Sequence, residues 1–331
     1  MSGFRDIVGH EEIIAHMQGA IRTGRISHAY ILDGEPLSGK KTLAEAFAMA
    51  LLCEGGEDAC GTCASCRKVR GHNHPDLLYV QHEKPDTITV GEIRRQLTGS
   101  AAIKPYSSRY KIYIVDEAHK MNVQAQNALL KTLEEPPSYV VILLLTANAQ
   151  SLLPTVRSRC VTLRLRAIPD DKIQKLLMER FHVPDYKAAQ CAAFAMGNAG
   201  RAADLAASGE FEELKRILTG QMQRIARTRD SELAGLAGEL SDYGDYTDEY
   251  LDMLLFWFRD TAVCKYTNGG VRLLYAKEEK TLRMQAAALD DAGLSGIFTH
   301  IEDARRRLRA NGNRELVLTL LYLDIREALA S

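Results

Sequence analysis

A chain of 331 residues, 46% hydrophobic and 26% charged, is long enough for two or three domains with a sizeable core and has the balance of an ordinary soluble globular protein. Its 42 basic and 43 acidic residues leave a net charge of −1, which excludes a protein that coats nucleic acid by charge alone but leaves room for a local basic patch. The opening stretch MSGFRDIVGHEEIIAH lacks the apolar core of an export signal, and the longest apolar run, YVVILLLTA, is too short for a bilayer. The expectation is therefore a cytoplasmic protein with no membrane partner.

In chain order, AYILDG is a short apolar run ending in glycine, which predicts a buried strand. It leads into GEPLSGKKT, close to the phosphate-binding pattern G-x-x-x-x-G-K followed by Ser or Thr. Gly34, Gly39 and Lys40 fit, but Lys41 stands where a hydroxyl would hold Mg²⁺. Thr42 lies one residue on, a rotation of about 100° around a helix, and so does not substitute. Glu35 adds a carboxylate to the loop, and Pro36 removes an N–H donor. The pattern supplies a cradle and a lysine without the metal-holding hydroxyl. Binding of ATP or ADP with Mg²⁺ stays open, and hydrolysis by this chain alone is not expected. The plainer alternative is a strand–turn–helix joint that needs glycines for close approach.

KKTLAEAFAMALL follows with Leu43, Phe47 and Leu51 on one helical face. Cys53, Cys60, Cys63 and Cys66 then form C-x6-C-x2-C-x2-C. Without an export signal, crowded cysteines read as metal ligands before disulfides, and four thiolates close a tetrahedral shell around a structural Zn²⁺. An iron–sulfur cluster is the alternative, although the onward C-x3-C-P is missing. Four free buried thiols are the plain reading. Cys160, Cys191 and Cys264 stand apart as packing residues.

HPDLLYVQ is a second strand, TVGEIRRQLTGSA a helix, and YKIYIVDEA a third strand ending in Asp116 and Glu117. Such a pair orients the Mg²⁺ water shell and an attacking water, or simply favours the start of the next helix. NVQAQNALLKTLEE is a helix capped by Asn122 and halted by Pro136-Pro137. YVVILLLTAN and CVTLRLR are the fourth and fifth strands. This alternation predicts a parallel sheet covered on both faces. All nine prolines fall at or before Pro184, and the pattern beyond is helical, which marks a domain change. In the last helices, Leu316, Leu320 and Leu323 are expected to pack within a bundle, with continuation of the stripe to a subunit interface as the further reading. Arg305, Arg306, Arg307 and Arg309 read as a solvated face beside Glu302 and Asp303, with contact to DNA phosphates or a partner as the sharper alternative.

The order VGHEEIIAHMQGAIRTGRISHAYIL, altered loop, cysteine cluster, HPDLLYV, IVDEAHKMNVQAQNALLKTLEEPP and LPTVRSRC resembles the clamp-loader branch of the AAA+ ATPases. The resemblance is dense over residues 1–165, continues through GNAGRAADLA and is looser beyond. It implies an α/β AAA+ P-loop domain with a zinc module over residues 1–166. A small helical lid over 167–207 and an all-α collar for oligomerisation over 208–331 would follow. It implies a hetero-pentamer with gamma/tau and delta subunits that opens a ring-shaped sliding clamp and loads it on primed DNA. The chain would then be part of a DNA-directed DNA polymerase holoenzyme without polymerase activity of its own. Lys41 fits the rigid stator of such a ring better than an ATP-hydrolysing motor subunit, which remains the alternative. In SRC, Arg159 matches the arginine that reaches a neighbour's nucleotide site, with Arg157 two residues away. Thr146, or Asn148, falls where the first sensor lies, Arg201 at the second sensor, and Val8 and Gly9 in the segment beside adenine. As plainer alternatives, Arg159 caps a helix or joins a salt bridge, Thr146 and Asn148 cap a strand end, and Gly9 makes a turn.

Overall fold

The structure, a computed structural model, describes residues 3–55, 58–267 and 270–330. Contacts divide the chain into two compact units, Met1–Ala188 with Ala195–Ala203, and Ala189–Phe194 with Asp204–Ser331.

The first unit begins with α1 (Glu11–Thr23), β1 (Ala29–Asp33), α2 (Lys40–Leu52) and α3 (Ala64–Arg70). Next come β2 (Leu77–Val80), the short α4 (Val90–Ile93) and α5 (Gly99–Ala101), β3 (Lys111–Val115) and α6 (Val123–Glu134). β4 (Val140–Thr146), α7 (Pro154–Arg157), β5 (Val161–Arg164) and α8 (Asp170–Phe181) complete the run. α9 (Asp185–Phe194) and α10 (Ala199–Ala207) follow, of which Ala189–Phe194 and the residues from Asp204 onward are counted with the second unit. The five strands are those expected from the sequence, and every pairing is parallel, in the order β2-β3-β4-β1-β5.

Strand alternation sorts side chains onto two cores. Tyr30, Leu32, Ile112, Ile114 and Leu143 pack on one face with Phe47 and Met17. Ile31, Tyr113, Val115, Ile142 and Leu144 pack on the other with Leu97 and Leu129. β1, β3 and β4 are buried along their whole length, as a doubly covered parallel sheet requires. Their carboxyl ends put Asp33, Asp116 and Thr146 along one edge of the sheet, where ligands of such folds bind.

Two expectations change in detail. The helix read over TVGEIRRQLTGSA contains a π turn at Arg94–Thr98. Gly99 accommodates it, because a Cβ there would approach the Arg94 carbonyl oxygen to 2.7 Å. The leucine stripe read as bundle core is only partly so. Leu316 and Leu320 are 58% and 38% exposed, and α16 (Arg314–Ala330) buries Val317, Leu318, Leu321, Tyr322 and Ile325 instead.

The second unit is helical. It comprises α11 (Glu210–Arg224), α12 (Asp230–Gly238), α13 (Thr247–Tyr266), α14 (Glu279–Ala288), α15 (Asp291–Arg309) and α16. Arg305 is not a solvated residue: it bonds Asp248 at 3.0 Å and Asp252 at 2.5 Å, tying α15 to α13. Arg306 pairs locally with Asp303.

Candidate functional site

The glycine loop joins β1 to α2. Gly39 takes φ 91°, a backbone state that favours glycine, and α2 starts at the next residue. The Lys40 ammonium donates to the Gly34 and Glu35 carbonyl oxygens, both at 2.6 Å, so the lysine closes its own loop. Burial lowers its pKa below the ordinary lysine value, opposed by the charges of Asp116, Asp33, Glu35 and Glu117. Lys41 is exposed and sits 5.9 Å from the centroid of the Tyr79 ring. It lines a 580 Å³ cavity together with His82, Asp116 and Glu117. Thr42 is half-buried on the same helix.

The loop is buttressed from two sides. His10 Nε2 donates to the Ser38 carbonyl at 3.2 Å. Asn198 Nδ2 donates to the Pro36 carbonyl at 2.8 Å, while Asn198 Oδ1 accepts from the Arg201 N–H and so caps α10. Gly200 lies so close that a Cβ there would overlap the Leu37 carbonyl oxygen. Arg201 is thereby held within one turn of the loop contact. On the N-terminal side, Val8 is half-buried, and Gly9 adopts φ 75° against Ile168, whose side chain a Cβ would meet at 2.8 Å. Gly9, His10 and Ile168 belong to a small hollow of 200 Å³.

The acidic pair at the end of β3 is partly spoken for. Asp116 Oδ1 accepts the Glu117 N–H. The Glu117 carboxylate lies 2.7 Å from Lys120 and 3.4 Å from His82, and its pKa falls below the ordinary value chiefly through the Lys120 bond. Thr146 is fully buried, and its hydroxyl accepts the Asn148 N–H at 3.1 Å. Asn148 in turn accepts from Gln150. Arg159 is not brought to this end of the sheet with the others. Its guanidinium pairs with Glu134 at 2.8 Å and donates to the Thr155 carbonyl at 2.9 Å, at the close of α7. Arg157 donates to Gln150.

The four cysteines run from the end of α2 into α3: Cys53 follows α2, Cys60 and Cys63 lie in the connecting turn, and Cys66 is in the first turn of α3. All four Sγ atoms fall within 4.8 Å of one another, and Cys60 and Cys66 are 4.0 Å apart. A tetrahedral metal with bonds of about 2.3 Å needs sulfurs roughly 3.8 Å apart, so the set fits a four-thiolate site. Backbone N–H groups of Gly55 and Cys60 donate to Cys53, that of Cys63 to Cys60, and that of Cys66 to Cys63. Such donors stabilise thiolates and orient them. The Thr62 N–H, followed by the Cys63 N–H and the Thr62 hydroxyl, brings the Cys60 thiol down to about 6. Arg67 and Arg70 bind the Thr62 and Gly61 carbonyls and brace the turn.

A family model described as DNA polymerase III, delta subunit, matches residues 9–169. The DNA polymerase III subunit tau/gamma of Haemophilus influenzae is 37% identical over 176 residues, 53% of this chain and 25% of that protein. DNA polymerase III subunit delta' of Bacillus subtilis is 27% identical over 316 residues, 94% of each chain. By its first half the chain is similar to DNA polymerase III clamp-loader subunits, and along 94% of its length to one delta' subunit. It spans about a quarter of the length of the tau/gamma relative it matches. Among solved structures, a Thermotoga maritima gamma subunit-related protein aligns over 95% of this chain and 99% of its own at 19% identity, with a TM-score of 0.49.

Several residues that shape this site were not singled out from the sequence. Asp33, 5% exposed, accepts the Ala149 N–H at 3.0 Å and the Arg164 Nε–H at 3.1 Å, fastening β1 to β5 and to the turn after β4. Its signal was present, a carboxylate ending an apolar strand just before the loop glycine. The contacts of His82 with Glu117, Lys120 with the Pro85 carbonyl and Asn198 with the Pro36 carbonyl join residues 35 to 162 apart and so leave no local pattern.

Proposed function

We propose that this chain is a delta-prime-type stator of a DNA polymerase III clamp loader. It joins gamma/tau and delta subunits in a hetero-pentamer, helps to open the sliding clamp and place it on primed DNA, and works in the cytoplasm. The observation that carries the reading is Lys41 in the hydroxyl position at the head of α2, with Lys40 closed onto the Gly34 and Glu35 carbonyls. Phosphoryl transfer needs a metal held beside the phosphates and a free carboxylate to orient water. Here an ammonium replaces the metal-holding hydroxyl, and Glu117 is engaged by Lys120 and His82. The likeness to delta' along 94% of both chains supports the same reading.

Val8, Gly9, Gly34, Gly39, Lys40, Lys41, Thr42, Asp116, Glu117, Thr146 and Arg201 then form the remnant of a nucleotide site. Arg159 is the chemical contribution, a planar, permanently charged fork that spreads positive charge over the γ-phosphate of a neighbouring subunit. Cys53, Cys60, Cys63 and Cys66 hold Zn²⁺ as a closed structural site. Residues 167–207 act as the lid and 208–331 as the collar, to which the exposed Leu316 and Leu320 lend apolar contact area.

A second reading, an ATP-hydrolysing gamma/tau-like motor, draws on the 37% identity to tau/gamma over half of this chain. Nucleotide turnover by the purified chain separates the two. The stator gives none alone, while a reconstituted ring lacking it loses clamp loading. Brisk phosphate release by the isolated chain would establish the motor.

A further inference from the structure

The helical unit contains a 520 Å³ cavity that no part of the preceding argument uses. This volume is typical of a small-molecule site. Lys215 of α11 reaches into it across two aromatic faces, 5.2 Å from the Phe194 ring centroid and 5.8 Å from that of Tyr275. Among the described residues no carboxylate lies within ion-pair distance of its ammonium; Glu212 and Glu278 act on it only from farther away. Burial lowers its pKa, as expected for a cation drawn from water without a partner.

The remaining charged lining is Arg272, Lys277 and Arg283 against Glu278 and Glu279. With Lys215 that is four cations to two anions, a surplus of 4 − 2 = +2. Gln190 adds a buried Oε1 that receives no hydrogen bond among the described residues. Val263, Leu273 and Leu274 supply an apolar wall. A desolvated cation calls for an anion, and an orphan acceptor calls for a donor. A lone carboxylate supplies one charge and no donor. A phosphate ester carrying hydroxyls supplies nearly two charges at neutral pH and donors besides.

We propose that this cavity binds a sugar phosphate, with Lys215 on the phosphate and Gln190 accepting a hydroxyl of the sugar. The site is separate from the glycine loop and independent of whether that loop holds nucleotide. The test is a titration of the full chain, labelled with ¹³C at valine and leucine methyls, with ribose 5-phosphate. The methyls of Val263, Leu273 and Leu274 shift saturably. Lys215→Met keeps the stem on the two rings, leaves the rest of the methyl spectrum in place, and weakens binding about tenfold or more. Gln190→Leu weakens the ester while leaving inorganic sulfate unchanged. Absence of shifts at these methyls in the unaltered chain overturns the proposal. So does undiminished affinity in both variants, or sulfate binding as tightly as the ester, which would show loose charge attraction only.

Discussion

Arg159 stands at the close of α7, tied to Glu134 and to the Thr155 carbonyl, with both partners of the ion pair partly exposed. Such pairs contribute about 0–1 kcal/mol, so Arg159→Ala should leave the subunit folded with nearly the same melting temperature. Its effect belongs to the assembled ring. If the guanidinium reaches a neighbour's γ-phosphate, its loss lowers turnover at that neighbour by about a thousandfold, the lower end for such arginines. Steady-state hydrolysis by the reconstituted ring checks this, and unchanged turnover refutes the role. Lys41→Ser asks the converse question. The substitution returns the missing hydroxyl, yet Pro36 still lacks its N–H, Lys40 still binds two loop carbonyls, and Glu117 still pairs with Lys120 and His82. The variant chain alone should release no phosphate above the buffer rate, and steady release would mean that the hydroxyl was the only part missing.

The sequence revealed elements by periodicity, and the limits of that signal have physical causes. The strands were legible because three lie buried along their whole length as apolar runs bounded by glycine, proline or polar residues. The cysteine cluster was legible because its ligands are close in the chain. The face of α16 was not, since Leu316, Val317, Leu318, Leu320, Leu321 and Leu323 leave little polar contrast around the helix. Nor was the docking of the loop on α10, where Pro36 and Asn198 meet across 162 residues. That docking makes Gly200→Ala informative. Alanine favours a helix over glycine by about 1 kcal/mol. Its Cβ, however, would meet the backbone oxygen of Leu37, which cannot swing aside as a side chain would. Overpacking of about 1–3 kcal/mol should win, lowering the urea midpoint without changing the slope. At α4, Thr89 and Glu92 form a reciprocal capping box. The Thr89 hydroxyl, then the Thr89 and Glu83 N–H groups, hold Glu92 down to about 2 from an ordinary 4.5. A depressed carboxyl stabilises the fold fully above its unfolded value and loses that contribution as pH falls through the folded one. Glu92→Gln should therefore be less stable at neutral pH and lose less between pH of about 4.5 and 2; parallel stability curves for the two proteins would contradict this.

At the scale of the whole chain, the two units are stabilised by different means. The helical unit buries polar side chains that satisfy one another: Tyr250 and Tyr322 both donate to Gln221 Oε1, and Trp257 donates to Gln285. The sheet unit instead carries the cysteine turn, which contributes Ala59, Cys66 and Val69 to the same core as Phe47 and Leu52. Without a metal, neighbouring thiolates repel and Cys66 is pushed toward the protonated form by burial, so the turn loses the charge that holds it closed. Bound metal adds about 4 kcal/mol when present at a thousand times its dissociation constant, a large fraction of the stability of one domain. The cysteines belong wholly to the first unit, and the exposed leucines of α16 to the second. Chelation should therefore lower the melting temperature of the sheet unit while the reconstituted ring still assembles, as calorimetry and native mass measurement would read together. A chain that melts identically with and without metal would reduce the four cysteines to packing residues, and a ring that falls apart on chelation would move the cysteine turn from the fold to the subunit interface.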